Sequence, residues 1–362
     1  MATIIEKMDQ PAQPAKADKQ PWFPDFASGG ELMKTAVPTG VNEEGYYGIP
    51  MLKRPLWHWH IAFYFFLEGI SAGAFLIATL ARLFAPRRYR NLERIASYLS
   101  LLTLLPCPPL LIADLGRPTR FQHMLRVFKP SSPMNIGAWA LTGFSLPVGL
   151  LAVKQFSAQI LRRSNWLSKA GRVLPVRVLG VLGLPFTFTM ISYPGVLLST
   201  TSTPIWARTR FLGALLASSS LGNAAAALSL GLAWQGHARE GKALEKIELA
   251  ANLCEAATLT AYLSTAGKTA EPLTKGRYAK YLWFGAVGAG MVLPMLLRFL
   301  QRGRKEQRTL LIIRSLLTLM GGLALKWAIV YAGRTSAESP EAARYATNRQ
   351  NRRRGGDHAK RR

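Results

Sequence analysis

The stretch WHWHIAFYFFLEGISAGAFLIATLARLF, residues 57–84, decides the fold. It exceeds the roughly 20 apolar residues that cross a bilayer as a helix, yet it carries His60, Tyr64 and Glu68 within it. An ionisable group at bilayer depth is costly unless it is paired or lines a cavity. These residues therefore point to a polar site inside the membrane. Similar windows follow at 95–113, 134–156, 174–199, 210–233, 247–265, 280–300 and 309–333. The sequence thus predicts an all-α polytopic membrane protein with eight transmembrane helices. The windows are continuously apolar and rich in Leu, Ala and Gly, with none of the alternation that an outer-membrane barrel requires. Mean hydropathy is only +0.11 because charged loops and two polar tails dilute the spans.

Composition narrows the function classes. The net charge of +27 sits mostly in short loops between spans, where Lys and Arg orient the chain and meet anionic head groups, so nucleic acid is not the expected partner. Two cysteines, Cys107 and Cys254, are too few to hold an iron–sulfur cluster within this chain. Only His60 lies well inside a span, which argues against a bis-histidine haem, and no metal site is expected. The first span starts after more than fifty residues and lacks the pattern of a cleaved signal peptide.

Residues 1–55 read as an extended arm punctuated by Pro11, Pro14, Pro21, Pro24, Pro38 and Pro50. The spans divide near Thr203-Pro204 into two four-helix bundles, 56–202 and 203–335, with no residue-level repeat between them. Residues 336–362 read as a basic, solvated tail. Gly69 and Gly73 in the first span, and Gly285, Gly288 and Gly290 in the seventh, are suited to close helix approach. With both termini outside, the inner loops hold 19 basic residues and the outer loops 10, counting the residues at the span ends. The positive-inside rule then favours periplasmic termini in a bacterial inner membrane. The tails, taken whole, would reverse the count, but most of their charge lies far from a span.

On that topology, His60 and Tyr64 in the first span, Asp114 at the end of the second, Tyr193 near the end of the fourth and Lys326 in the eighth share the outer half of the membrane. Glu68 and Glu255 lie near its middle, and Arg314, close to the inner end of its span, is placed to snorkel to head groups. His60, Tyr64 and Tyr193 also fit an aromatic belt, and Glu255 with Lys326 fits a structural ion pair as well as a proton path.

The loop after the second span reads Asp114-Leu115-Gly116-Arg117-Pro118, then Phe121 and His123, then Ser132-Pro133-Met134 with Gly137 and Trp139. Together with Trp57-His58-Trp59-His60 and Tyr64 ahead of Gly69-Ile70-Ser71-Ala72-Gly73, and with Tyr193-Pro194-Gly195 ahead of Pro204-Ile205-Trp206, this resembles the NrfD/polysulfide reductase family of membrane subunits over residues 45–335. The resemblance implies a quinone-binding membrane anchor of a respiratory oxidoreductase. Such a subunit, without haem or cluster of its own, exchanges electrons between menaquinone or ubiquinone and a ferredoxin-like iron–sulfur subunit. A molybdopterin oxidoreductase or a multihaem cytochrome completes such complexes, and that partner carries the terminal chemistry.

It also implies a quinol site in the first bundle near the periplasmic face. His60 and Tyr193 would hold the ring oxygens, Asp114 or His60 would accept protons, and Tyr64, Trp139 and Trp206 would line the site. Arg117 would hold Asp114 ionised or brace the loop. Glu68, Glu255 and Lys326 would continue a proton path. The family leads us to expect arginine near position 326, where this chain has lysine, which keeps the charge without the guanidinium fork. A secondary transporter or proton-conducting protein is the alternative that the same intramembrane charges allow.

Overall fold

The computed structural model describes residues 52–159, 175–207, 209–236, 238–301, 308–339 and 341–345, which belong to one compact unit. Most of the expected arm, the whole 160–174 connection and most of the basic tail lie outside the described residues. Among those described there is no strand, and the long helices are α1 (Trp59–Phe84), α2 (Arg90–Ala113), α3 (Pro133–Gln159), α4 (Val176–Ser199), α5 (Leu212–Trp234), α6 (Ala238–Ala266), α7 (Tyr281–Leu300) and α8 (Arg308–Glu338).

Seven of them, all but α6, are long and apolar enough to cross a membrane. The residues expected as the sixth span lie in helix α6, whose apolarity Glu248, Asn252 and Glu255 hold down. All three are buried, so these polar groups face neighbouring helices.

The centre of the unit is α1 against α5. Their most apolar windows are 78% and 72% buried, against 28% for α7. Small residues set this contact: a Cβ on Gly69 would collide with the Ser220 side chain, and one on Gly73 would come 2.6 Å from the Ala224 Cβ. Backbones approach closely only where side chains are this small. Gly285 and Gly290 do the same for α7 against Ala324 and Gly321 of α8. Helices of the two expected bundles also pack across the Pro204 boundary, α1 and α4 on α5 and α1 on α8.

Proline shapes two elements. Pro106 interrupts α2 between Leu104 and Cys107, as expected where a residue without N–H cannot continue the ladder. Residues Tyr281–Val292 wind as a π-helix, a rare form, ahead of Pro294. The helix ends opposite the Trp59 end of α1 are stapled by charge. Arg82 pairs with Glu93 at 2.8 Å and donates to the Val176 carbonyl, tying α1, α2 and α4. Glu240 accepts the Leu92 N–H at 2.7 Å and the Asn91 amide at 2.8 Å, capping the start of α2 from α6. The expected tail begins as helix: α8 runs to Glu338, Ser336 is buried, and residues 341–345 are helical. Glu338 pairs with Arg54 at 2.8 Å, fixing the segment that leads into α1.

Candidate functional site

A cavity of about 450 Å³ lies between the first four long helices, covered by the 114–125 loop. Trp57, Ile61 and Phe65 form one wall, Pro108, Leu111 and Ile112 of α2 a second, and Met134, Gly137 and Leu141 of α3 a third. Leu115, Phe121, Met124 and Leu125 close the loop side. A largely apolar chamber of this size, with few polar groups, is the usual form of a small-molecule site.

The covering loop is held by one residue that sequence reasoning passed over. Ser132 and Pro133 begin α3 in the usual cap and first-turn positions, which places Asn135 in the first turn. Its side-chain oxygen accepts the Lys129 N–H at 2.7 Å, and its amide donates to the Met124 and Val127 carbonyls at 2.7 and 3.0 Å. Three bonds from one amide hold Met124–Lys129 against α3. Asparagine following the Ser132-Pro133 cap was the available signal.

Five polar side chains line the chamber: Thr142 and Ser145, whose hydroxyls donate back to the Ala138 and Leu141 carbonyls of α3, and Tyr64, Asp114 and Tyr193. The Tyr193 hydroxyl donates to the Pro133 carbonyl at 3.1 Å, joining α4 to the start of α3. Tyr64 is buried one turn from Glu68 on the same face of α1. Asp114 lies just beyond the end of α2 with its side chain 7% exposed; His58 Nδ1 lies 3.6 Å and His60 Nδ1 3.8 Å from the same carboxylate oxygen. That oxygen and the His60 Nδ1 are both buried, and His58 reaches the carboxylate through its backbone as well as its imidazole. Burial pushes the Asp114 carboxyl above the usual carboxylate range, and His58, then His60, act against that rise.

The other expected site residues fall elsewhere. His60 stacks on Trp59, behind Asp114 and outside the chamber lining. Trp139 is 37% exposed and packs edge-on against Phe128. Trp206 is fully buried, stacks on Trp57 and donates to the Ile329 carbonyl at 2.9 Å, so it supports the wall from behind. Arg117 lies on the exposed surface of the loop.

Glu68, Lys326 and Glu255 form a buried row between α1, α8 and α6. Lys326 Nζ donates to the Ser219 hydroxyl of α5 at 3.0 Å and lies within electrostatic reach of both carboxylates. Ser219 stands where a direct Glu255–Lys326 pair was expected. Both Glu68 oxygens are buried.

Further along the same helices lies a second charged group. Arg314 is buried rather than snorkelling: it pairs with Glu245 at 2.7 Å and sits 3.8 Å from Glu248, which also pairs with Arg298 at 2.8 Å and accepts the Thr318 hydroxyl at 3.0 Å. The sequence reading missed this cluster because Arg298 and Glu248 sit near span ends and look like loop charges. Among the described residues, no group of three or more His, Cys, Asp or Glu is placed to hold a metal.

The family model for polysulphide reductase, NrfD, matches residues 49–337. A polysulfide reductase polypeptide of Wolinella succinogenes is 28% identical over 300 residues, which span 77% of this chain and 95% of that protein. Protein NrfD of Escherichia coli is 27% identical over 307 residues, with the same shares of 77% and 95%. A shorter match, 30% identical over 79 residues, spans 22% of this chain and 18% of a selenate reductase subunit of Mesobacillus selenatarsenatis.

Proposed function

The chain belongs to the polysulphide reductase NrfD family of integral membrane subunits, and on that premise we propose that it binds quinol in the chamber under the 114–125 loop. It would pass the electrons to an iron–sulfur partner subunit of a respiratory oxidoreductase. The observation that carries this reading is the chamber itself, apolar on its walls and approached by Tyr64, Asp114 and Tyr193.

Quinol supplies two electrons and two protons per turnover. The apolar walls, with Phe65, Leu111 and Leu141, suit the flat ring and the first units of its tail. Tyr193, whose hydroxyl donates to the Pro133 carbonyl, offers its oxygen as acceptor to a quinol O–H. Asp114 is the carboxylate at the wall and accepts the proton. The covering loop, held by Asn135, keeps water from the reacting groups. Menaquinone and ubiquinone share the ring-oxygen chemistry used here. A molybdopterin oxidoreductase or a multihaem cytochrome would complete the complex, which would sit in the bacterial inner membrane with the termini of this chain on the periplasmic side.

The buried row of Glu68, Lys326 and Glu255 supports proton movement coupled to this reaction, and it is also what a proton-conducting protein without redox chemistry would need. Lipid extraction of the purified subunit separates the two. Copurified quinone, together with quinol oxidation that requires an added iron–sulfur subunit and no haem absorbance, supports the redox reading. A stoichiometric intrinsic haem, or proton conduction with no quinone bound, overturns it.

A further inference from the structure

Asp114 has two faces. One lines the chamber; the other meets the segment entering α1, where His58 and His60 flank a single carboxylate oxygen at 3.6 and 3.8 Å. The two imidazoles differ in what lies beyond them. The His60 side chain is 26% exposed and stacked on Trp59, whereas the His58 side chain is 54% exposed. Both distances exceed ordinary hydrogen-bond length, and the shared oxygen is buried. Contacts of this length commonly tighten when a site is occupied.

We infer that His58 is the proton exit of the site, taking protons from Asp114 and delivering them to water. This rests on reading the chamber as a quinol site. Each quinol O–H bond breaks with its proton going to the Asp114 carboxylate and its electron passing to the oxidised iron–sulfur centre of the partner subunit. Asp114 then hands the proton to the His58 imidazole, which releases it to bulk water, so the carboxylate is regenerated for the second proton. Other ionisable groups at the site are His60, 3.8 Å from the same oxygen, Tyr64 and Tyr193 on the chamber wall, and Arg117, three residues along the exposed loop. His60 orients Asp114 in this arrangement, and His58 acts through Asp114 without touching the chamber.

The test uses the assembled complex in proteoliposomes with three variants, His58→Ala, His58→Gln and His60→Ala. His58→Ala and His58→Gln are expected to bind a hydroxyquinoline N-oxide, a quinone analogue, as the wild type does. Both should lose about 10²-fold in turnover at saturating quinol, the range for lost acid–base help. Imidazole added on the side that His58 faces should restore turnover of His58→Ala, and a pH-sensitive dye on that side should report proton release returning with it. Imidazole should not restore His60→Ala. Wild-type turnover in His58→Ala, or a loss that imidazole leaves unchanged, overturns the inference, as does rescue of His60→Ala alone. Failure of the analogue to bind the wild-type complex overturns the quinol-site reading itself, which is a separate result.

Discussion

Tyr193 of α4 occupies the space that a side chain at Gly137 of α3 would need: a Cβ built there falls on the phenol ring and its hydroxyl. The ring lies against Gly137, and its hydroxyl donates to the Pro133 carbonyl one turn earlier on the same face of α3. Glycine at 137 is thus a condition for the position of Tyr193. Gly137→Ala should push the ring out of the wall and weaken quinone-analogue binding by at least as much as Tyr193→Phe. That second change removes one hydroxyl bond worth about 0.5–1.5 kcal/mol, or up to about tenfold in affinity. Titration of the analogue in membranes with normalised subunit levels measures both. Wild-type affinity in Gly137→Ala would separate Tyr193 from the site.

Asn135 gives a second test, because one amide makes three bonds to the loop over the chamber. Asn135→Ala should free the loop, raising proteolytic nicking near Arg126 and lowering analogue affinity. Asn135→Asp keeps an acceptor for the Lys129 N–H but loses both donations to carbonyls. Its effect should lie between wild type and alanine, since each such bond is worth about 1 kcal/mol. Equal protection of all three forms in limited proteolysis would show that the loop is held by other contacts.

The sequence carried the parts of this site whose position depends on depth along a span. His60, Tyr64, Asp114, Tyr193 and Lys326 were expected at one level; Tyr64, Asp114 and Tyr193 line one chamber, whereas His60 and Lys326 lie outside its lining. Trp139 was misplaced because its position depends on the rotation of α3. Two residues beyond Gly137 is about 200° around a helix, so a chamber-facing glycine puts Trp139 on the far side. Trp206 needed knowledge of α8, whose Ile329 carbonyl takes its N–H. The sixth span shows the same limit from the other side. Hydropathy counts Glu248 and Glu255 against α6 without seeing Arg298, Thr318 and Ser219 on the helices beside them.

The pH dependence of turnover follows from Asp114. Burial raises its pKa, so the protonated form is favoured in the folded protein. The native state is then most favoured, as far as this group is concerned, below the ordinary carboxylate pKa, and loses that contribution as pH rises through the raised value. Proton acceptance requires the ionised form, so quinol oxidation should fall as pH drops through a point above the usual carboxylate range. His58 and His60 both oppose the rise, and replacing either by alanine should move this acid limb to higher pH. The pH–rate profile measures the limb; a shift to lower pH in either variant would contradict the electrostatic role given to these histidines.

Lys326 carries the last prediction. It is the cation between Glu68 and Glu255, fully buried, with its ammonium on the Ser219 hydroxyl. Lys326→Met should leave both carboxylates without a counter-charge, and breaking a buried arrangement from one side typically costs about 3–5 kcal/mol. The denaturation temperature of the detergent-solubilised subunit should fall accordingly. Removing the carboxylates as well, in a Glu68→Gln, Glu255→Gln, Lys326→Met triple variant, should recover most of that loss, because no unpaired charge then remains. Arginine at 326 keeps the charge but must fit a longer, planar group against Ser219, so Lys326→Arg should fall between wild type and methionine. Stability alone leaves the purpose of the row open, and the triple variant decides it. If the row carries protons, quinol oxidation should continue in proteoliposomes while the protons moved per electron decline. An unchanged ratio in a stable, active triple variant would make the row a structural device that fixes α1, α5, α6 and α8.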